Sequence, residues 1–256
     1  MGGRVAVAIG LLVVAGVGVL LYFRSRDETT PVSVRDAVSD FRGETVRADD
    51  RPRYGPAPGV YAYATSGFEH VGGTFSARHD YPRTSTVTVT ETPCGVRERW
   101  DALGERRNTV ETCVGARRTR VRSIDDYHEF FGQPREVVFS CTGSSAPRPG
   151  RMTVGLTWRE RCRSDDGDGI EIRAAVRERG EVQIAEETVP AVHVRLTSVL
   201  RGSVRGGNVI DSWLRRSDGL LLRRRQRVDT EIDTPVGEAP YRERVEIELR
   251  SLDPSH

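Results

Sequence analysis

The pattern of hydrophobic and polar residues divides the chain into three parts. The first is Val5–Phe23, a run of nineteen residues without a charge. A short stretch with helical periodicity follows at Ser33–Arg42, and from Val60 onward apolar and polar residues alternate. Because helices repeat every 3.6 residues and strands every two, we predict a long apolar helix, a short helix and a β-rich remainder.

The apolar run Val5–Phe23 predicts a transmembrane helix. It would span roughly 28 Å as a helix, close to the hydrocarbon thickness of a bilayer. No Ala-x-Ala cleavage site and no cysteine follow it directly. We therefore interpret residues 5–23 as an uncleaved signal anchor, with residues 1–4 in the cytoplasm and the rest of the chain exported.

Residues 24–58 are predicted to be a tether that contains one helix over residues 33–42. The apolar stripe of this helix, at i, i+3, i+4 and i+7, consists of Val34, Ala37, Val38 and Phe41. Ser33 is a suitable N-cap. The proline- and glycine-rich end of the tether indicates an extended spacer.

Residues 59–252 show the alternation that is typical of half-buried antiparallel strands, and residues 253–256 form a tail. The clearest apolar faces are Ile170–Ile172–Ala174–Val176, Val192–Val194–Leu196 and Val245–Ile247–Leu249. Charged or polar residues occupy the intervening positions, so one side of the sheet should face water. Glycine-containing turn signals separate the runs, among them Leu103-Gly104, Asp166–Gly169, Arg179-Gly180, Gly206-Gly207 and Asp218-Gly219. We expect about ten to twelve strands in meander order.

A further alternating run supplies a candidate ligand-binding face. In Thr153–Arg159, Val154, Leu156 and Trp158 point one way and the threonines the other. We add Trp213, which lies in a later predicted strand, to this candidate apolar face.

The four cysteines are Cys94, Cys113, Cys141 and Cys162. All follow the predicted export segment, and their spacing does not fit a zinc site, so we predict two disulfides and an oxidising compartment. A two-residue turn at Leu103-Gly104 would place Cys94 opposite Cys113 and Trp100 opposite Arg107. The pair Cys141–Cys162 follows by elimination. It requires an asymmetric loop or a bent strand, for which Gly155 is the candidate position.

Charge excludes one class of partner and leaves two interpretations of a basic run. All 39 Lys-or-Arg positions are arginine, 37 acidic residues are interspersed with them, and the net charge is +2, which excludes a nucleic-acid footprint. A strand would place Arg223, Arg225 and Arg227 on one face and Arg224 on the other. The outer three would either pair with the glutamates of Tyr241–Leu249 or contact an anionic envelope surface.

Tests for catalytic and metal-binding motifs are negative. His128-Glu129 lacks the second histidine of a zinc-protease helix, and Asp165–Glu171 does not place its oxygens as an EF-hand does. The sequence also lacks a nucleophile elbow and a phosphate-binding loop. We predict no metal, no cofactor and no catalytic activity.

Two stretches resemble a known family. The segments Asp211–Arg223 and Val189–Val194 are similar to the Trp-Leu strand, turn and arginine strand of bacterial envelope half-barrels, namely the LolA-like lipoprotein carriers and the related mycobacterial lipoproteins. The resemblance implies a curved sheet whose concave face holds acyl chains. Its departures are the missing lipobox cysteine, the two disulfides and the absence of lid helices. The all-arginine, disulfide-bearing layout also resembles actinobacterial proteins.

Together these observations predict an all-β extracytoplasmic domain, a curved, half-barrel-like antiparallel sheet preceded by one N-terminal transmembrane helix. The predicted function is a membrane-anchored binding module for a lipid or other apolar envelope ligand, located at the plasma membrane. The alternative is a structural or protein-interaction protein of the envelope with a filled core. A monomer is the default oligomeric state.

Overall fold

The fold is seen in a computed structural model that describes residues 28–43, 54–73, 76–234 and 237–256. The predicted span Val5–Phe23 lies outside these residues. Within them, no helix has the length and hydrophobicity that crossing a bilayer requires.

The described chain forms one helix, one short 3₁₀ turn and fourteen strands. The helix is α1 (Val34–Gly43), and the 3₁₀ turn is Pro149–Arg151. The first seven strands are β1 (Gly59–Val71), β2 (Ala77–Asp80), β3 (Thr84–Thr92), β4 (Gly95–Leu103), β5 (Arg106–Val114), β6 (Arg118–Phe130) and β7 (Gln133–Gly143). The others are β8 (Ala146–Pro147), β9 (Thr157–Ser164), β10 (Gly169–Ile184), β11 (Glu187–Arg201), β12 (Val204–Arg215), β13 (Leu221–Thr234) and β14 (Gly237–Leu249).

Twelve of these strands form a closed antiparallel barrel. Their order around the barrel is β1-β14-β13-β12-β11-β10-β9-β7-β6-β5-β4-β3, and β3 pairs with β1 again. β3 pairs with the first half of β1, and the short strand β2 pairs with the second half on the same side. The short strand β8 pairs with the start of β6. Neighbouring strands are mostly consecutive in sequence, so the predicted meander order is confirmed.

The prediction of an open, half-barrel-like sheet is wrong. β1 pairs with β14 from Tyr63 opposite Leu249 to Val71 opposite Tyr241, and this pairing removes both edges of the sheet. An alternating sequence looks the same in an edge strand and in a paired strand. The closure depends on contact between the first and last long strands, which local periodicity does not report.

The helix predicted over residues 33–42 is present as α1, and it packs on the barrel. The Ser33 side chain caps its first turn, where it accepts a hydrogen bond from the Asp36 backbone N–H at 3.1 Å. The helix contacts β1 and β3, and Ala37 on its inner face is buried. β3 is accordingly buried on both faces from Ser85 to Thr90.

Both predicted disulfides are confirmed, but the register predicted for the first is wrong by one residue. Cys94 bonds to Cys113, with a Cα–Cα distance of 4.7 Å. The hairpin turns at Gly104-Glu105, and a bulge beside Leu103 places Trp100 opposite Asn108 rather than Arg107. In the observed register Gly95 lies opposite Cys113, and the disulfide joins Cys94 to Cys113 diagonally across the two strands. The predicted cysteine pair is therefore correct, although the predicted register is not.

The second disulfide joins directly opposed residues. Cys141 of β7 pairs with Cys162 of β9, with a Cα–Cα distance of 4.0 Å. An irregular connection, residues 144–156, links the two strands, so the asymmetric-loop alternative is the correct one. Gly155 lies in this connection with φ +85°, before the start of β9 at Thr157.

The two ends of the barrel differ. At one end, which we call the floor, Tyr61 and Tyr63 of β1 pack in one core cluster with Leu222 and Ile247. The connection 144–156 lies across this end, where Arg148 Nη2 donates to the Ser217 carbonyl at 2.8 Å. The opposite end, which we call the mouth, carries the turns β6–β7, β11–β12 and β13–β14.

Candidate functional site: the barrel interior

The barrel encloses a cavity of about 1020 Å³. This volume lies at the upper end of the range found for small-molecule pockets. Inward-facing residues of nearly every strand line it, because alternate residues of a barrel strand face the interior. The wall formed by β6, β7, β9, β10, β11 and β12 is mainly apolar. Representative residues are Ile124, Phe139, Ile172, Leu196, Ile210 and Leu214.

The cavity extends along the barrel from the floor to the mouth. At the floor it is bounded by Trp100, Leu221 and Pro149 of the connection 144–156. At the mouth it is lined by Phe131 and Ile232 in or beside the hairpin turns. A long ligand could therefore lie parallel to the barrel axis.

A buried charge cluster is formed by side chains of β1, β2, β5, β6 and β14. We define it as Glu69, His79, Arg106, Asp126, His128, Tyr241 and Glu243. Glu69 lies at its centre: the distances from its carboxylate to His79 Nδ1, His128 Nδ1 and the Tyr241 hydroxyl are 2.9, 3.0 and 3.0 Å. A carboxylate only accepts hydrogen bonds, so all three groups donate to it.

Arg106 connects the other two carboxylates of the cluster. Its Nε donates to Glu243 Oε1 at 3.0 Å, and its Nη1 donates to Asp126 Oδ1 at 2.7 Å. Glu243 also accepts hydrogen bonds from the Tyr81 hydroxyl and from Gln226 Nε2. The charges in this wall are thus compensated by close partners.

The pKa values in the cluster follow from these contacts. Burial would raise the pKa of Glu69, but hydrogen bonds from His128 and His79 outweigh it and lower the pKa to about 2. Burial and the Arg106 charge would lower the pKa of His128, but Asp126 and Glu69 raise it to about 9. The second ring nitrogen, His128 Nε2, lies 3.0 Å from Asp126 Oδ2. His128 is therefore an imidazolium held by two carboxylates, and it is not available as a general base near neutral pH.

A second charged pair near the floor is arranged differently. Arg224 of β13 reaches across the interior to Trp100 of β4, with Cζ 4.7 Å from the ring centre. Its Nε and Nη2 are buried and have no hydrogen-bond partner in the described structure. Glu98, two residues before Trp100, also lines the cavity. Burial raises the pKa of Glu98 to about 7, although the Arg224 charge opposes the shift. Burial likewise lowers the pKa of Arg224.

The structure brings only part of the predicted apolar face into the cavity. Trp158 lines the cavity, and Leu156 packs against the neighbouring core cluster. Val154 lies in a turn and is 61% exposed, because β9 begins only at Thr157. Trp213 lies on the outer surface, where its ring stacks on His193 at 4.4 Å between centroids. The four residues therefore do not form one face.

The arginine run of β13 divides between the two faces of the strand as predicted. Arg223 and Arg225 point outward and pair with Glu248 and Glu246 of β14, with N–O distances of 2.6 and 2.9 Å. Arg227 is exposed and lies opposite Arg244. Ion pairing thus accounts for two of the three outer arginines, and contact with an anionic surface stays a prediction.

The alternating pattern of the sequence does not by itself indicate the charged residues inside the barrel. These residues are Glu69, Glu98, Arg106, Asp126, Arg224 and Glu243. A signal was present for some of them: Glu243 occupies the same face of β14 as Val245 and Ile247. A charged residue on an otherwise apolar strand face indicates an internal partner or a functional group. In the part of the chain that the structure describes, no group of three or more His, Cys, Asp or Glu residues is arranged to hold a metal ion.

Comparison of the chain with family models, with curated proteins and with solved structures finds no match. The resemblance to LolA-like carriers therefore stays a prediction from the sequence.

Proposed function

We propose that the barrel binds one elongated, largely apolar ligand in its interior. The observation that carries this proposal is the cavity of about 1020 Å³ with its apolar wall. Barrels of eight strands are just wide enough to be filled by their own side chains or to hold one small ligand. With twelve strands, this barrel is wider, and side chains of ordinary size leave its centre open.

A volume of this size is difficult to explain as packing. Protein interiors are close-packed, with few voids larger than a water molecule, and empty apolar volume destabilises the folded state. The alternative function, a structural protein with a filled core, expects a packed interior and does not account for the cavity. The charge cluster occupies one wall with paired polar groups, while the opposite wall offers Ile172, Leu196 and Ile210 to a ligand.

The two disulfides support an oxidising compartment outside the cytoplasm. In that setting, an apolar ligand enclosed by the barrel would be a lipid or another poorly soluble envelope compound. Attachment to the plasma membrane and the absence of catalysis stay predictions.

The proposal is tested by native mass spectrometry of the full chain, produced in an oxidising compartment and incubated with 1-hexadecanol. We expect one bound molecule per chain, because the cavity is one continuous space. Ile210→Trp, which fills the cavity, should reduce the bound fraction. The matched control Val209→Trp, on the outer face of the same strand, should not. Absence of a hexadecanol complex, or equal loss in both variants, would contradict binding in the interior.

A further inference from the structure

Arg224 is placed differently from the other arginines of its strand. Arg223 and Arg225 point outward and are paired with glutamates of β14. Arg224 points into the barrel and crosses the interior near the floor, where its guanidinium lies over the Trp100 ring. It therefore presents a positive charge at the inner end of the apolar cavity.

The unpartnered atoms of Arg224 form one functional edge. Nε and Nη2 carry parallel N–H groups that match the two oxygens of a carboxylate. Other arginines of this protein use the same edge in that way: Arg195 donates to Asp211 at 2.8 and 3.0 Å, and Arg106 donates to Glu243 at 3.0 and 3.4 Å. In Arg224 this edge has no acceptor in the described structure.

These two N–H groups disfavour the folded state, because they lose their hydration without gaining hydrogen bonds. An anion that entered the cavity would supply the missing acceptors. The arginine side chain is suited to such a role because it stays charged and binds planar anions in a bidentate way. Both atoms are shielded from solvent, so binding requires the guanidinium to turn from the Trp100 ring toward the cavity.

Building on the proposed function, we propose that Arg224 binds the head group of an amphiphile that carries one carboxylate and a long apolar chain. One guanidinium edge supplies the two hydrogen bonds that one carboxylate accepts. The chain would then extend from the floor along the apolar wall, past Leu214 and Leu196, toward Ile232 at the mouth.

The test is isothermal titration calorimetry of the full chain with hexadecanoate, 1-hexadecanol and hexadecyl phosphate. We expect hexadecanoate to bind at least about tenfold more tightly than hexadecanol, the effect of one charge-assisted hydrogen-bonded pair. Arg224→Met should remove this preference while hexadecanol still binds. The control Arg225→Met, on the outer face of the same strand, should retain it. Thermal unfolding of each variant verifies that it is folded.

The outcomes separate this inference from the function on which it rests. Equal affinity of the wild-type protein for hexadecanoate and hexadecanol would overturn the role of Arg224 and leave interior binding intact. Tighter binding of hexadecyl phosphate than of hexadecanoate would overturn the carboxylate assignment. If neither the acid nor the alcohol binds, both the inference and the proposed function are wrong.

Discussion

Two charged regions inside the same barrel differ in how their charges are compensated. In the buried charge cluster, Glu69 receives three hydrogen bonds, and its pKa falls to about 2. Near the floor, burial dominates for Glu98 and raises its pKa to about 7. Both residues are glutamates on inward-facing strand positions. The difference lies in the donors that surround them.

This contrast separates charges that hold the fold together from charges that remain free for a partner. A buried polar group with all its hydrogen bonds satisfied stabilises one specific arrangement, whereas an unsatisfied one is costly. Arg106 in the cluster donates hydrogen bonds to Glu243, to Asp126 and to two backbone carbonyls, whereas the Nε–Nη2 edge of Arg224 has no acceptor in the described structure. We therefore assign the cluster to the stability of the barrel and Arg224 to the ligand.

The largest change in the free energy of unfolding is expected when Arg106 is replaced. Arg106→Met should lower the free energy of unfolding by about 3–5 kcal/mol, because the fully buried Glu243 would lose its cation. Urea unfolding followed by circular dichroism measures this change. The control Arg107→Met removes the partly exposed ion pair with Glu136 and the contact with the Tyr127 ring, and it should cost about 1 kcal/mol. Similar losses in both variants would show that the cluster is not a structural unit.

The next largest effect is the contribution of Glu98 to the pH dependence of the free energy of unfolding. Its pKa rises from 4.5 to about 7 in the folded protein, so the folded state binds more protons than the unfolded state between these values. The free energy of unfolding should therefore fall as the pH rises from 4.5 to 7, by about 3 kcal/mol in total. Urea unfolding across this pH range should show the decline in the wild-type protein and a smaller one in Glu98→Gln. Parallel pH profiles would contradict the raised pKa.

Replacing Arg224 is expected to change the free energy of unfolding by a smaller amount than replacing Arg106, and in the opposite direction. Replacing Arg224 removes the desolvation cost of two N–H groups that have no acceptor, and this gain offsets the lost attraction for Glu98. Arg224→Met should thus leave the free energy of unfolding unchanged or raise it by about 1 kcal/mol. Urea unfolding without added ligand provides the measurement. A loss of several kcal/mol would mean that Arg224 is a structural residue like Arg106.

The strands could be predicted from the sequence because inward-facing apolar residues recur at every second position within a strand. Ile170–Val176 and Val245–Leu249 alternate as expected in β10 and β14. The same local information misplaced two turns: Arg179-Gly180 lies within β10, and Gly206-Gly207 lies within β12. Glycine permits a turn but does not require one, and at Gly206 and Gly207 it allows close approach of the neighbouring strands.

The closure of the barrel and its interior site could not be predicted in the same way. Pairing of β1 with β14 joins residues that are far apart in sequence, and no local pattern encodes it. The cavity exists only because of this closure. Arg224 was assigned to the opposite face from Arg223 and Arg225, but without a closed barrel that face had no interior to point into.

The most direct test of interior binding uses the three tryptophans as reporters of position. Trp100 and Trp158 line the cavity, whereas Trp213 lies on the outer surface. Three variants would each retain one tryptophan, with the other two replaced by phenylalanine, and would be titrated with dibrominated octadecanoate, whose bromines quench fluorescence at short range. Saturable quenching of Trp100 and Trp158, with Trp213 unaffected, is the result expected for a ligand inside the barrel. Quenching of Trp213 alone would place the ligand on the outer surface and contradict the account.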